Sequence, residues 1–449
     1  MLTLIGLFTL VTLVLLLLWR KVSPIIGLVL IPLTGAVLAG FSIPEIGAFY
    51  SAGLTKVMPV ATMFIFAITF FGVMQDAGLF RPLIRGMVTL TRGNVVTVAI
   101  GTAILGMLAH LDGAGATTFL MTIPALLPLY KKLKMNPYLM LMLLATGAGI
   151  FNMLPWAGPL GRAAAVTGIE VTSLWQPLIP IQIIGAVLLI AMASIFGLAE
   201  KRRIAMAQGG QINLNDGANT AIVVDAAEDA EADIAHQMSA QEEALLRPKL
   251  IWVNTAIFAA VLASLIGGIL PSAYIFMIGL SIALIINYPT VDEQAKRISA
   301  HAQSAMMMGG IILAAGSFLG IMDGSGMLRA IANDLVNILP TATVPHLHLI
   351  LGFFGFPMEL LLSTDAYYFG LLPVVVQIVS EHGVPAANIV HALTIGNVLG
   401  TFISPFSPAL WMALGLAQLE IGAYIRYAFF WMWGFSLLLF GAALMLDLM

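Results

Sequence analysis

The chain has 449 residues, of which 60% are hydrophobic and only 9% charged, with a formal net charge of −3 and no cysteine. Soluble globular chains carry about 25% charged residues, so a water-soluble enzyme and a nucleic-acid-binding protein are both excluded. The lack of cysteine excludes a disulfide framework and a thiolate metal site, leaving a polytopic protein whose solvent is the lipid bilayer.

The first residues are already apolar, and Arg20 and Lys21 follow them. A cleaved signal would place basic residues first, so 3–19 is expected to be an uncleaved span. Further spans are predicted at 24–41 and 57–76. From Asn94 to Tyr130 the run is free of charge except for Asp112, and its centre reads LDGAGATTFL, residues 111–120. A charge at bilayer depth costs about 3 kcal/mol on insertion scales. Broken backbone is tolerated there only inside protein or beside a water-filled cavity. Asp112, Gly113, Gly115, Thr117 and Thr118 therefore read either as a binding site at the tip of a re-entrant hairpin (95–130) or as a polar turn between two full spans. Next come 138–159, broken near Asn152 and Pro155, and 177–199. Residues 200–249 change character: KRR at 201–203, then an acidic run. This is a soluble loop with room for a short helix at 226–246 and no catalytic pattern. Spans follow at 250–269, 272–287 and 303–322, then a second hairpin candidate at 346–381, a broken span at 387–410 and a last span at 424–446.

The two halves repeat. GVMQDAGLFR (72–81) matches GIMDGSGMLR (320–329), sharing Gly72/Gly320, Met74/Met322, Gly78/Gly326 and Arg81/Arg329. ATTF (116–119) lies over AYYF (366–369), and TGAGIFNMLPWAGP (146–159) over IGNVLGTFISPFSP (395–408). Ile169-Glu170-Val171 lies over Leu419-Glu420-Ile421. Four matches in one order at nearly one offset argue for an internal duplication. Five crossings plus a hairpin per copy turn the second copy upside down, and inverted repeats with broken helices are a secondary-transporter architecture. The expected domains are a first repeat at 1–199, a linker loop at 200–249 and a second repeat at 250–449. With this topology sixteen Lys and Arg fall on one side and three (Lys56, Arg162, Arg329) on the other. The basic side is cytoplasmic, so both termini are expected outside and the 200–249 loop inside.

The second tip, LLSTDAYYFG (361–370), sets Asp365 beside Ser363, Thr364, Tyr367 and Tyr368. The recurrence of a lone Asp among hydroxyls favours hairpins. Pro155, Pro159, Pro405 and Pro408 end helices opposite the tips, freeing carbonyls for a cation and amides for an anion. Asn152, Ser404 and Ser407, with the tip hydroxyls, suit a carboxylated or hydroxylated substrate; any one Ser or Thr alone more often bonds its own helix. Asp112 and Asp365 could carry protons, coordinate a hard divalent cation or bind Na⁺, or simply cap a half-helix. Arg162 reads as an interfacial anchor or as a fork for a substrate carboxylate. His110 reads as a packed, hydrogen-bonded histidine, and Asp76 and Asp323 as structural caps. His301, His346, His348 and His391 show no metal-ligand spacing. GGQINLNDG (209–217) lacks the GK[ST] of a phosphate loop, and GSFLG (316–320) has the spacing of tight helix packing.

FFGVMQDAGLF, LDGAGATT, LPLYKKLKMNP and NMLPWAGP resemble the first half of the citrate–divalent metal–proton symporter family, CitMHS. GIMDGSGM, STDAYYFGLLP and SPFSPALW are similar to its second half. The resemblance covers nearly the whole chain apart from the 200–249 loop. It implies the ion transporter superfamily, and with it a homodimeric elevator in which a fixed scaffold carries a mobile domain holding both hairpins. The implied substrate is citrate complexed with Mg²⁺ or Ca²⁺, taken up with protons across the inner membrane, with no permanently bound cofactor. On that resemblance Asp112 and Asp365 carry protons or contact the metal, while Gly113, Gly115, Thr117, Thr118, Asn152, Gly158, Arg162, Ser363, Thr364, Ser404 and Ser407 hold the substrate. The family pattern LDGDGTTT is altered at Ala114 and Ala116, and SNDA at Thr364.

Overall fold

In a computed structural model, which describes residues 1–19, 21–80, 82, 94–207, 243–340 and 342–449, every regular element is a helix. Arg20, Arg81, Arg85 and Arg92, nearly all of the helix considered at 226–246 and the GGQINLNDG run lie outside the described residues. The first half holds α1 (Leu2–Leu18), α2 (Pro24–Leu38), α3 (Ile43–Asp76), α4 (Val95–Ala109), α5 (Gly115–Lys132), α6 (Pro137–Phe151), α7 (Gly158–Thr167) and α8 (Ile179–Ala207). The second holds α9 (Ile251–Ile266), α10 (Ser272–Asn287), α11 (Val291–Gly324), α12 (Met327–Ile338), α13 (Leu347–Phe353), α14 (Leu372–Ser380), α15 (Ala386–Asn397), α16 (Pro408–Ala417) and α17 (Ile421–Met445). Among the described residues six helices are long and apolar enough to cross a bilayer, α3, α11 and α17 among them.

Two of these helices match in length and spacing. Helices α3 and α11 are both 34 residues long and begin 248 residues apart. Each opens on the same local device. The Ser42 amide and hydroxyl both donate to the Glu45 carboxylate, at 2.8 and 2.6 Å. The Thr290 hydroxyl donates to Glu293 at 2.8 Å and accepts from the Glu293 amide at 3.3 Å. Such a capping box satisfies backbone donors that the first turn leaves free. It starts the helices at 43 and 291, well ahead of the starts expected at 57 and 303. Hydropathy missed these first turns because they carry Glu45, Lys56, Lys296 and Arg297. Each helix is stopped by a matched glycine in the left-handed region, Gly78 (φ +87°) and Gly326 (φ +74°).

The two long helices cross antiparallel at their glycines. A Cβ on Gly320 would come within 2.8 Å of the Gly53 Cα, and one on Gly72 would strike the His301 ring. Positions 53 and 301 correspond under the repeat, as do 72 and 320, so the same crossing is made twice. The close packing expected of 316–320 is therefore what sets the axis of the fold. Asp76 and Asp323 do not cap these helices: Asp76 accepts from Arg297 (3.1 Å) and His301 (2.8 Å) across the crossing, and Asp323 pairs with Lys56 at 3.2 Å.

Around this crossing α2 and α10 flank the long pair, while α4, α6 and α8 pack together and α13, α15 and α17 form their counterpart. Helix α7 touches both α3 and α11. Helix α12 occupies a stretch not expected to be helical and packs against α1 and α14. The helices after the breaks run on to Thr167 and Ala417, past the ends expected at 159 and 410.

Candidate substrate site at the two tips

The first tip is made by backbone geometry. After α4 a short 3₁₀ turn covers His110–Asp112, Gly113 takes φ +74°, and α5 begins at Gly115. Gly113 has no room for a side chain, since a Cβ would lie 3.0 Å from the Trp156 ring; one on Gly115 would lie 2.7 Å from Phe402. The tip is thus wedged between the breaks of both halves. The Trp156 indole donates to the Leu111 carbonyl at 2.8 Å, fixing the tip to the first break.

Asp112 is buried, with its Oδ1 accepting from the Ala114 amide at 2.9 Å and its Oδ2 from the Thr117 hydroxyl. It therefore does what a capping carboxylate does at the head of α5. Thr118 lies 2.8 Å from His110 Nδ1, and His110 Nε2 lies 3.4 Å from Asn152 Oδ1 at the end of α6. This is the packed, hydrogen-bonded histidine expected. Ala114 is exposed at the tip.

The second tip is built on the same plan with different chemistry. A π turn over Ala366–Leu371 leads into α14. Ser363 caps it, its hydroxyl accepting from the Ala366 amide at 3.2 Å. Tyr367 and Tyr368 point into the core, and the Tyr367 hydroxyl donates to the Leu393 carbonyl at 3.2 Å. Where the first tip has His110, Thr118 and Asn152, the second has Glu359, Thr364 and Asn397. The Asn397 amide donates to Glu359 Oε1 at 2.7 Å, and the Thr364 hydroxyl stands 3.4 Å from Oε2. Ser404 donates to the Glu359 carbonyl at 2.6 Å, tying this tip to the second break. Ser407 is buried at the head of α16.

Arg162 overturns the anchor reading. It is buried, and its Nε donates to Asp365 Oδ1 at 2.7 Å, joining the first-half helix α7 to the second tip. Gly158 makes this possible, because a Cβ there would stand 2.5 Å from Arg162 Nη1. Asp365 is thus an ion-pair partner, a role not among those expected for it as proton carrier, cation ligand or half-helix cap. Among the described residues no three His, Asp or Glu side chains converge to hold a metal ion. Asp112 and Asp365 therefore form no metal cage with a third such side chain among the described residues. His391 spends both ring nitrogens on the Leu448 and Leu174 carbonyls.

Glu359 and Asn397 escaped sequence reading. A signal existed: Glu359 is a further carboxylate inside the apolar part of the 346–381 run, six positions before Asp365. Asn397 lay inside the span expected at 387–410, ahead of its break, and was passed over as a lone polar residue.

The tips and breaks of both halves thus meet at one locus lined by hydroxyls, two helix N-termini and one guanidinium. Comparison with known proteins agrees with an anion-handling membrane carrier. A family model described as "Citrate transporter" (CitMHS) matches residues 2–396. Over the whole chain and 99% of the relative, the sequence is 35% identical to the "Citrate transporter" of Bacillus subtilis (strain 168). It is 32% identical to that organism's "Mg(2+)/citrate complex secondary transporter", over 96% of this chain and 95% of the other. The fold resembles the crystal structure of the Alcanivorax borkumensis YdaH transporter, with a TM-score of 0.52 at 16% identity over 90% of this chain and 87% of that one. With its all-helical fold and tip-and-break locus, and with relatives matched end to end, this chain belongs to the citrate transporter family of membrane transporters.

Proposed function

We propose that the chain is a secondary active transporter that takes up citrate or a similar di- or tricarboxylate, as a Mg²⁺ or Ca²⁺ complex, together with protons. The observation that carries this reading is the Arg162–Asp365 pair at the junction of both tips and both breaks. A guanidinium offers a carboxylate a planar fork of donors. An arriving substrate carboxylate competes with Asp365 for Arg162, and the released Asp365 turns to the cargo metal or to a proton. Asp112 plays the corresponding part at the first tip. Gly113, Gly115, Thr117 and Thr118 at one tip, Ser363 and Thr364 at the other, and Asn152, Gly158, Ser404 and Ser407 at the breaks hold the carboxylates with hydroxyls, an amide and helix N-termini.

The rest of the molecule is assigned accordingly. Residues 1–199 and 250–449 form two inverted repeats joined by a cytoplasmic 200–249 segment, a reading supported by the antiparallel crossing of α3 with α11. The first residues of that segment were expected to be loop, but α8 carries on through them to Ala207. The protein works as a homodimeric elevator in the inner membrane, with both termini outside. The exposed Ala114, where the family pattern has a carboxylate, favours a second reading: metal-free or Na⁺-coupled transport of another small acid.

The test is labelled citrate uptake into proteoliposomes under an inward proton gradient, with and without Mg²⁺ or Ca²⁺, for wild type, Asp112→Asn and Asp365→Asn. Metal-dependent uptake lost in both variants is expected. Uptake indifferent to metal supports the metal-free reading, and uptake abolished when choline replaces Na⁺ supports the Na⁺-coupled one. No citrate uptake under any gradient removes the substrate assignment.

A further inference from the structure

Among the described residues three carboxylates are buried: Asp112, Glu200 and Glu359. Glu200 pairs with Arg203 at 2.7 Å, and Asp112 is held by a backbone amide and a threonine. Glu359 has no exposed surface at all, and its side chain has only neutral partners, the Asn397 amide and the Thr364 hydroxyl. The nearby guanidinium of Arg162 is already given to Asp365.

An ionised carboxylate in such a place is costly without a counter-charge. The cluster also leaves one acceptor without a donor, because Asn397 Oδ1 is buried without a partner. Gly400 leaves the Glu359 side chain just enough room, since a Cβ at 400 would lie 2.9 Å from the Glu359 Cβ. A bare carboxylate adds only acceptors to this group. A protonated one adds an O–H donor and removes the charge. The ionisable groups facing Glu359 are Arg162 from α7, Asp365 from its own tip, and Tyr367 and Tyr368 from the π turn. The surrounding residues of α15 and the second break (Asn397, Gly400, Ser404) do not ionise.

We propose that Glu359 is the side chain that takes up and releases the coupled proton, and that the Arg162–Asp365 pair ties its charge state to the cargo. The proposal rests on the transport reading above and deepens it. With the site empty, Arg162 pairs with Asp365 and no cargo charge stands near, so Glu359 gives up its proton most readily in this state. When a cargo carboxylate engages Arg162 and displaces Asp365, a further negative charge enters the cluster and a proton from the outer water binds Glu359 Oε2. On the inner side the cargo leaves, Arg162 returns to Asp365, and the O–H proton passes to water. One proton then moves with each cargo through this group. Coupling of this kind is reciprocal: protonation raises cargo affinity by the factor by which cargo raises proton affinity.

The experiment compares wild type, Glu359→Gln and Glu359→Asp in proteoliposomes holding a pH-sensitive dye. It reads both citrate–Mg²⁺ counterflow at equal pH and citrate-driven proton influx. Wild type is expected to show both; wild type without proton influx defeats the transport reading itself, before any variant is considered. Glu359→Gln is expected to keep counterflow and lose proton influx, with gradient-driven accumulation reduced at least about tenfold, within the usual range of coupling factors. Glu359→Asp should keep proton influx with a displaced pH profile. Proton influx intact in Glu359→Gln overturns the proposal. So does a monodisperse Glu359→Gln protein without counterflow, which would make Glu359 a support for the tip. Should Glu359→Gln fail to assemble, an unchanged pH profile in Glu359→Asp overturns it equally.

Discussion

Arg162 and Asp365 face each other across a sequence separation of 203 residues with their side chains only 10% and 17% exposed. Making such a pair contributes little net stability, but removing one partner strands a buried charge, at about 3–5 kcal/mol. Arg162→Ala is expected to destabilise the detergent-solubilised protein by that order, and Arg162→Ala/Asp365→Ala to recover most of the loss. A thermal-unfolding cycle over the two single variants and the double variant measures this; strict additivity would mean the pair is not coupled. Gly113 is constrained twice, by its φ of +74° and by Trp156. The left-handed conformation alone costs an L-residue about 1–2 kcal/mol. Gly113→Ala should therefore disturb the Asp112 tip, raising the KM for citrate in the uptake assay, with a loss in thermal unfolding of at least that amount.

At the scale of the element, the crossing of α3 with α11 depends on bare backbone. A Cβ on Gly53 would meet the Gly316 carbonyl and the Gly320 backbone, none of which can rotate away as a side chain would. Gly53→Ala is expected to cost about 1–3 kcal/mol, as overpacking of a close contact does. Gly47 lies on the same helix with nothing near its Cβ position. Gly47→Ala should be neutral, or stabilising by about 0.5–1 kcal/mol, from helix propensity alone. Unfolding midpoints of the two variants, side by side, separate crossing from propensity; equal losses would discount the crossing.

For the whole molecule the assignment that matters most is orientation, and the proposed inverted repeat further requires the 200–249 segment and the C-terminus to lie on opposite sides. The chain has no cysteine, so single introduced thiols report their side of the membrane without background. Asp447→Cys is expected to react with an impermeant maleimide added to intact cells, and Glu243→Cys only after permeabilisation. The reverse pattern would invert the topology drawn from the Lys and Arg distribution.

Much of this was legible in residue order. A composition of 60% hydrophobic residues determined the bilayer as solvent, and matches at nearly one offset argued for a duplication. Gly78 and Gly326 were shared because each long helix must turn left-handed at its end, a local requirement. The tips announced themselves as a charge among glycines and hydroxyls in an apolar run. Hydropathy averages over a window, however, and so it hid the capped first turns of α3 and α11 and the amphipathic α12. Which charges meet was decided only in three dimensions. Arg162 became the partner of Asp365, and Glu359 was left with none, because packing of the two halves brought one guanidinium within reach of one carboxylate and buried the other among neutral groups.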